Sequence, residues 1–90
     1  MKESLSPYID SFLTMIAVEK GLAKNTVEAY SRDLVRLSQF LVAQSIASWE
    51  ETETLHLRSY LSSLRRKGLS PRSIARHIVT VRQFYGFLET

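Results

Sequence analysis

Few side chains here are of a type that performs covalent chemistry. Nucleophilic hydrolysis needs a serine or cysteine beside a positioned base. The 90 residues contain no cysteine, only two histidines, and no Gly-x-Ser-x-Gly turn. A metal site calls for clustered histidines and carboxylates, but His56 and His77 fall on different predicted helices. His56 reads as a surface residue near a helix start, and His77 as a flank of an apolar stripe. Gly21, Gly68 and Gly86 are scattered and form no phosphate-cradling loop. Carboxylates gather only at Glu50, Glu51 and Glu53, an exposed acidic connection. The expectation is a binding module with no catalytic residue, metal or cofactor.

Charge placement says what such a module would bind. Residues 1–53 hold five Lys/Arg and eight Asp/Glu, whereas residues 54–90 hold seven Lys/Arg and only Glu89 as an acid. Six basic residues and no acidic one lie from Arg65 to Arg82. This asymmetry points to a polyanion; the competing reading is a solvated basic face with no partner. The apolar and charged fractions, 44% and 23%, are those of a folded domain. Ninety residues suffice for one domain. No apolar run reaches the roughly 20 residues of a membrane span, and Met1–Ser4 leads into no signal-peptide core. A cytoplasmic protein without membrane contact is expected.

Four helices position these residues, giving an all-α fold. The first is predicted from Pro7 to Lys20, with Ser6 as N-cap, Ile9, Phe12, Leu13 and Ile16 on one face, and Gly21 as the stop. The second runs from Asn25 to Gln44. Asn25-Thr26-Val27-Glu28 reads as a capping box, and Val27, Tyr30, Leu34, Leu37 and Leu41 form the buried stripe. Ser45–Thr52 is a connection anchored by Ile46 and Trp49, with Trp49 read as a core plug. The third helix spans Glu53 to Lys67 with Leu57, Tyr60, Leu61 and Leu64 inward, and Gly68 ends it. The fourth starts at Ser70-Pro71, flanked by Leu69 and Ile74 as a hydrophobic staple. Its predicted stripe is Ile74, Ile78, Val81, Tyr85 and Leu88.

Duplex DNA is held by cations at phosphates and read by polar groups at base edges. Arg72, Arg76 and Gln83, spaced i, i+4, i+11, project together from the fourth helix. Ser70 and Ser73 stand at its N-terminus, where backbone N–H groups favour a phosphate. The second helix begins similarly, with Lys24, Asn25 and Thr26, followed by Arg32. These starts read as two arms of a clamp. The expected contacts are Lys24, Asn25, Thr26, Arg32, Arg72, Arg76 and Gln83, with Arg36, Lys67 and Ser70 as further phosphate contacts. The competing reading is ordinary caps with salt-bridging arginines, and for Arg65-Arg66-Lys67 compensation of the helix dipole.

The segments Tyr8-Ile9-x-x-Phe12-Leu13, Gly21-Leu22-Ala23-x-Asn25-Thr26-x-x-Ala29-Tyr30-x-x-Asp33-Leu34 and Phe40-Leu41 resemble the start of tyrosine recombinases of the phage integrase family. Gly68-Leu69-Ser70-Pro71-Arg72-Ser73-Ile74-Ala75-Arg76 and Val81-Arg82-Gln83-Phe84-Tyr85-x-Phe87-Leu88 continue the resemblance, most like the Xer group. It covers nearly the whole chain in order and spacing. It implies a four-helix SAM-like core-binding domain over 1–90 that forms half of a clamp on double-stranded DNA, with its second and fourth helices across the major groove. It also implies a C-terminal catalytic domain of the same polypeptide, absent from this chain, and other recombinase protomers in a synaptic complex. None of the family's catalytic arginine, lysine, histidine and tyrosine motifs is found here, and Glu89-Thr90 falls where the interdomain linker would begin. Two other readings remain. One is a stand-alone helix-turn-helix regulator built on the third and fourth helices. The other is a helical protein–protein adaptor presenting Val79 and Phe87.

Overall fold

The computed structural model describes residues 5–89. The readings of Met1–Ser4 and of the Thr90 end lie outside them. Four helices follow in order: α1 Ser6–Val18, α2 Lys24–Ala43, α3 Thr54–Arg66 and α4 Pro71–Leu88. A 3-10 turn, Trp49–Glu51, interrupts the connection between α2 and α3. There is no strand among the described residues. The all-α expectation holds, and the helix ends fall within about two residues of their predicted places, as fraying termini do.

The stops work as their residue types require. Gly21 and Gly68 adopt φ of +61° and +86°, a left-handed region that costs a side chain with a Cβ. Ser70 caps α4, its hydroxyl accepting the Ser73 N–H at 3.2 Å, with Pro71 in the first turn. At α3 the cap is different. The Glu53 N–H donates to His56 Nδ1 at 2.9 Å, so His56 closes its own helix start.

Two predicted caps are not made. Ser6 lies inside α1, and Leu5 precedes it without a side-chain cap. Leu5 is buried, and its carbonyl accepts the Trp49 Nε1–H at 3.0 Å, so the entry to α1 is set by the core. Asn25 likewise lies inside α2. Extended Ala23 is the N-cap residue, and its carbonyl accepts the first helical bond, from Val27 N–H at 3.0 Å. The Leu22 N–H folds back to Ile16 O at 3.2 Å, which fixes how soon α2 begins.

One aromatic cluster fills the centre. Phe12 of α1 lies edge-on to Phe84 of α4 at 5.4 Å, and Trp49 meets the same Phe84 at 4.7 Å. Such edge contacts suit the ring quadrupoles. Leu34, Leu37 and Leu41 of α2 and Leu64 of α3 complete the core. Trp49 is a core plug, as expected. Phe87 is not a projecting residue: it packs on the core with its ring 5.6 Å from Phe12. Of the two proposed adaptor residues, only Val79 is exposed.

The buried face of α4 is rotated from the predicted stripe. Ile74, His77, Thr80 and Phe84 are buried, while Ile78 is exposed and Val81, Tyr85 and Leu88 are half-buried. Two polar residues replace apolar ones because each finds partners inside, and a buried polar group costs little once hydrogen-bonded.

Candidate nucleic-acid interface

A buried polar chain links α2, α3 and α4. Asp33 of α2 is almost fully buried, at 2% exposure. Arg76 of α4 donates to it twice, from Nε to Oδ2 at 2.9 Å and from Nη2 to Oδ1 at 2.7 Å. The Thr80 hydroxyl donates to Oδ2 at 2.9 Å, and His77 Nε2 lies 3.3 Å from Oδ1. His77 Nδ1 in turn lies 3.1 Å from the Tyr60 hydroxyl of α3. Burial lowers the His77 pKa, outweighing the pull of Asp33, and Arg76 and Arg36 push the same way. Burial also raises the Tyr60 pKa, with Asp33 adding to it. Both groups are therefore neutral near pH 7. The consistent assignment has the Tyr60 O–H donating to Nδ1 and the His77 Nε2–H facing Asp33. Tyr60 and His77 are each 1% exposed, so no substrate reaches this Tyr–His–Asp arrangement and its role is structural. The hydrogen bond to Asp33 raises the Arg76 pKa, and the guanidinium stays charged.

The expected contacts are mostly exposed. The Arg76 side chain is 42% exposed. Lys24, Asn25, Arg32, Arg36, Lys67, Ser70, Arg72 and Gln83 are exposed, and Thr26 is half-buried. Among the described residues, no ion pair is made by Arg32, Arg36, Lys67 or Arg72. On α2, Asn25, Arg32 and Arg36 follow an i, i+7, i+11 stripe, and on α4 Arg72, Arg76 and Gln83 follow i, i+4, i+11. Each stripe extends about 16 Å along its helix. The Asp33–Arg76 bond lies where α2 meets α4.

The two helices pass in opposite senses. Tyr30 of α2 and Phe84 and Phe87 of α4 meet the same ring, Phe12. Further along, Asp33 meets Arg76 and Thr80, and Arg36 shares a depression with Lys67, Tyr60 and Ser63 beside the approach to α4. The start of α2 with Lys24, Asn25 and Thr26 is thus remote from the start of α4 with Ser70 and Arg72. The two helix starts occupy opposite ends of the α2–α4 pair rather than one pincer. Arg36 and Lys67 are brought together. Gln83 faces a separate depression with Glu19, Lys20 and Arg82.

No local sequence pattern marks Asp33, Thr80, His77 and Tyr60 as a unit. The available signal was Asp33 itself, an acid at i+3 from Tyr30 and i−4 from Leu37 within an otherwise apolar stripe. An acid in that position needs a buried cationic partner.

Comparison with known proteins agrees with this architecture. The family model described as phage integrase, N-terminal SAM-like domain matches residues 9–90. The chain is 43% identical over 82 residues to a protein named tyrosine recombinase XerC from Proteus mirabilis, covering 91% of this chain and 27% of that one. It is 40% identical over 88 residues to tyrosine recombinase XerD from Brucella abortus (strain 2308), covering 98% and 28%. It is 34% identical over 85 residues to tyrosine recombinase XerD from Listeria innocua, covering 93% and 29%. The chain thus spans less than a third of the length of these relatives. No solved structure matches it significantly. None of the described helices is long and apolar enough to cross a membrane. With four helices, no strand among the described residues and a match from residue 9 to residue 90, the chain belongs to the family of phage integrase N-terminal SAM-like domains.

Proposed function

We propose that this chain binds double-stranded DNA as the core-binding domain of a site-specific tyrosine recombinase. It grips the duplex while a C-terminal catalytic domain of the same polypeptide cleaves and rejoins strands. Other protomers assemble with it in a synaptic complex, in the bacterial cytoplasm at the nucleoid. The relatives' name, tyrosine recombinase, supports the setting. The observation that carries DNA binding is the group of exposed cations, Arg32, Arg36, Lys67 and Arg72, none paired with an acid among the described residues. Cations left unpaired on one domain release counterions when they meet phosphates.

Salt dependence tests this directly. If these four side chains each meet one phosphate, affinity for a labelled duplex of about 30 base pairs falls on the order of a hundredfold between about 50 and 200 mM salt. A flat response would instead favour a protein–protein adaptor. That reading draws on the apolar groove between α3 and α4, lined by Leu57, Leu61, Ile78, Val81 and Tyr85.

A further inference from the structure

We propose that Arg76 is the side chain of this surface that selects a base pair, and that Asp33 is the residue that positions it for that task. The inference rests on the duplex-binding reading above. It follows from how one arginine differs from its neighbours. Asp33 occupies the Nε and Nη2 donors of Arg76 with two bonds of 2.9 and 2.7 Å. A guanidinium carries five N–H donors in one plane. Both Nη1 hydrogens and the second Nη2 hydrogen therefore remain, and one Nη1 hydrogen lies parallel to that Nη2 hydrogen on the terminal edge, next to the edge that the carboxylate holds. The terminal edge presents two parallel donors, the pattern that the O6 and N7 acceptors of guanine match in the major groove. The exposed fraction of the side chain, 42%, leaves room for such a partner.

The charges separate selection from attraction. Asp33 lies against Arg76 and cancels most of its long-range field, so the pair offers direction without much pull on phosphate. Arg32, Arg36, Lys67 and Arg72 have no such counter-charge among the described residues and supply the pull. Contacts to phosphate set register, and contacts to base edges specify sequence. Asp33 cannot swing to follow another partner. Thr80 donates to Oδ2, His77 stands at Oδ1, and Tyr60 holds His77 from behind. The plane of the Arg76 fork is consequently fixed before any duplex arrives, which lowers the entropy lost on recognition.

The test selects bound duplexes from a library with a randomised block, using the 90-residue chain, and then measures affinity against salt on the selected duplex. The wild type is expected to fix one G·C pair. Arg76→Lys keeps the charge and loses the fork. It should reduce the preference at that position by about tenfold or more, leaving other positions and the salt slope unchanged. Asp33→Asn should relax the same position while steepening the salt slope by about one, because it uncovers the charge of Arg76. A residue that only stabilised the fold would give no steeper slope. If Asp33→Asn does not fold, judged by circular dichroism, Thr80→Val withdraws one donor from the carboxylate and should relax the same position. Salt-dependent binding with no base preference, or a preference that survives Arg76→Lys, overturns the inference and leaves duplex binding intact. An Asp33→Asn protein, or failing that a Thr80→Val protein, that folds and keeps the wild-type preference removes Asp33 from the positioning role. Absence of binding to any duplex at low salt removes both readings.

Discussion

The carboxylate of Asp33 on α2 grips the guanidinium of Arg76 on α4 through two hydrogen bonds, of 2.7 and 2.9 Å. One partner is buried and the other is 42% exposed, so the pair joins the interior of the bundle to its basic surface. Arg76 is therefore a fixture of the fold as well as a candidate contact, and its substitution has consequences without any DNA.

Arg76→Ala leaves Asp33 with Thr80 and His77 as its remaining partners. The expected loss of stability is about 1–3 kcal/mol, the cost of a buried acceptor losing its cation. The His77 pKa should rise in this variant, since the Arg76 charge helps to hold it down and Asp33 would then draw a proton to its neighbour. Denaturant unfolding measures the first effect, and NMR titration of the imidazole the second. An unmoved His77 titration would contradict the coupling.

Acid should weaken the wild-type fold through the same residue. The folded-state pKa of His77 lies below its ordinary value of 6.5. Between the two values the unfolded chain binds a proton that the folded chain refuses. Stability from this group is thus full above pH 6.5 and declines as pH falls from 6.5 to the folded value. Unfolding curves at pH 8, 6.5 and 5 should show the decline below 6.5, and it should be shallower in His77→Gln.

Tyr30, Leu34, Leu37 and Leu41 were legible as a stripe because their periodicity is unbroken. The buried stripe of α4 lies about one residue of rotation from the stripe that hydropathy favours, for a physical reason. Ile74, Ile78, Val81 and Tyr85 form a series as regular as the buried one, Ile74, His77, Thr80 and Phe84. Hydropathy favours the first, yet His77 and Thr80 are inward because Asp33 and Tyr60, which are distant in sequence, satisfy them. The caps at Ser6 and Asn25 failed similarly. A hydroxyl or amide before a helix is a local signal, whereas the bond from Trp49 to the Leu5 carbonyl is a tertiary one. Of the expected contacts, exposure was readable from helical spacing. The remoteness of the two helix starts depended on which way α2 and α4 pass.

Trp49 should be the costliest single truncation. It is buried, packs edge-on to Phe84 at 4.7 Å, and ties the connection to the entry of α1. Trp49→Ala should cost about 3–5 kcal/mol, seen as a lower denaturant midpoint. Trp49→Phe keeps most of the packing but strands the Leu5 carbonyl, and should cost about 1–3 kcal/mol.

Lys67 and Arg72 should act by charge alone. Lys67→Ala and Arg72→Ala are expected to weaken binding to all duplexes alike and to flatten the salt slope by about one each. Their thermal midpoints should stay near the wild type, because both side chains are exposed and unpaired among the described residues.

The central claim is that the exposed surface of α2 and α4 meets duplex DNA. Amide chemical shifts of the labelled chain, followed as a duplex of about 30 base pairs is added at low and at high salt, examine it residue by residue. The expected result is a set of shifts confined to residues 24–36 and 67–83 that fades at high salt. Shifts on the α3–α4 groove at Leu57, Leu61 and Tyr85 instead, or none at low salt, would contradict it.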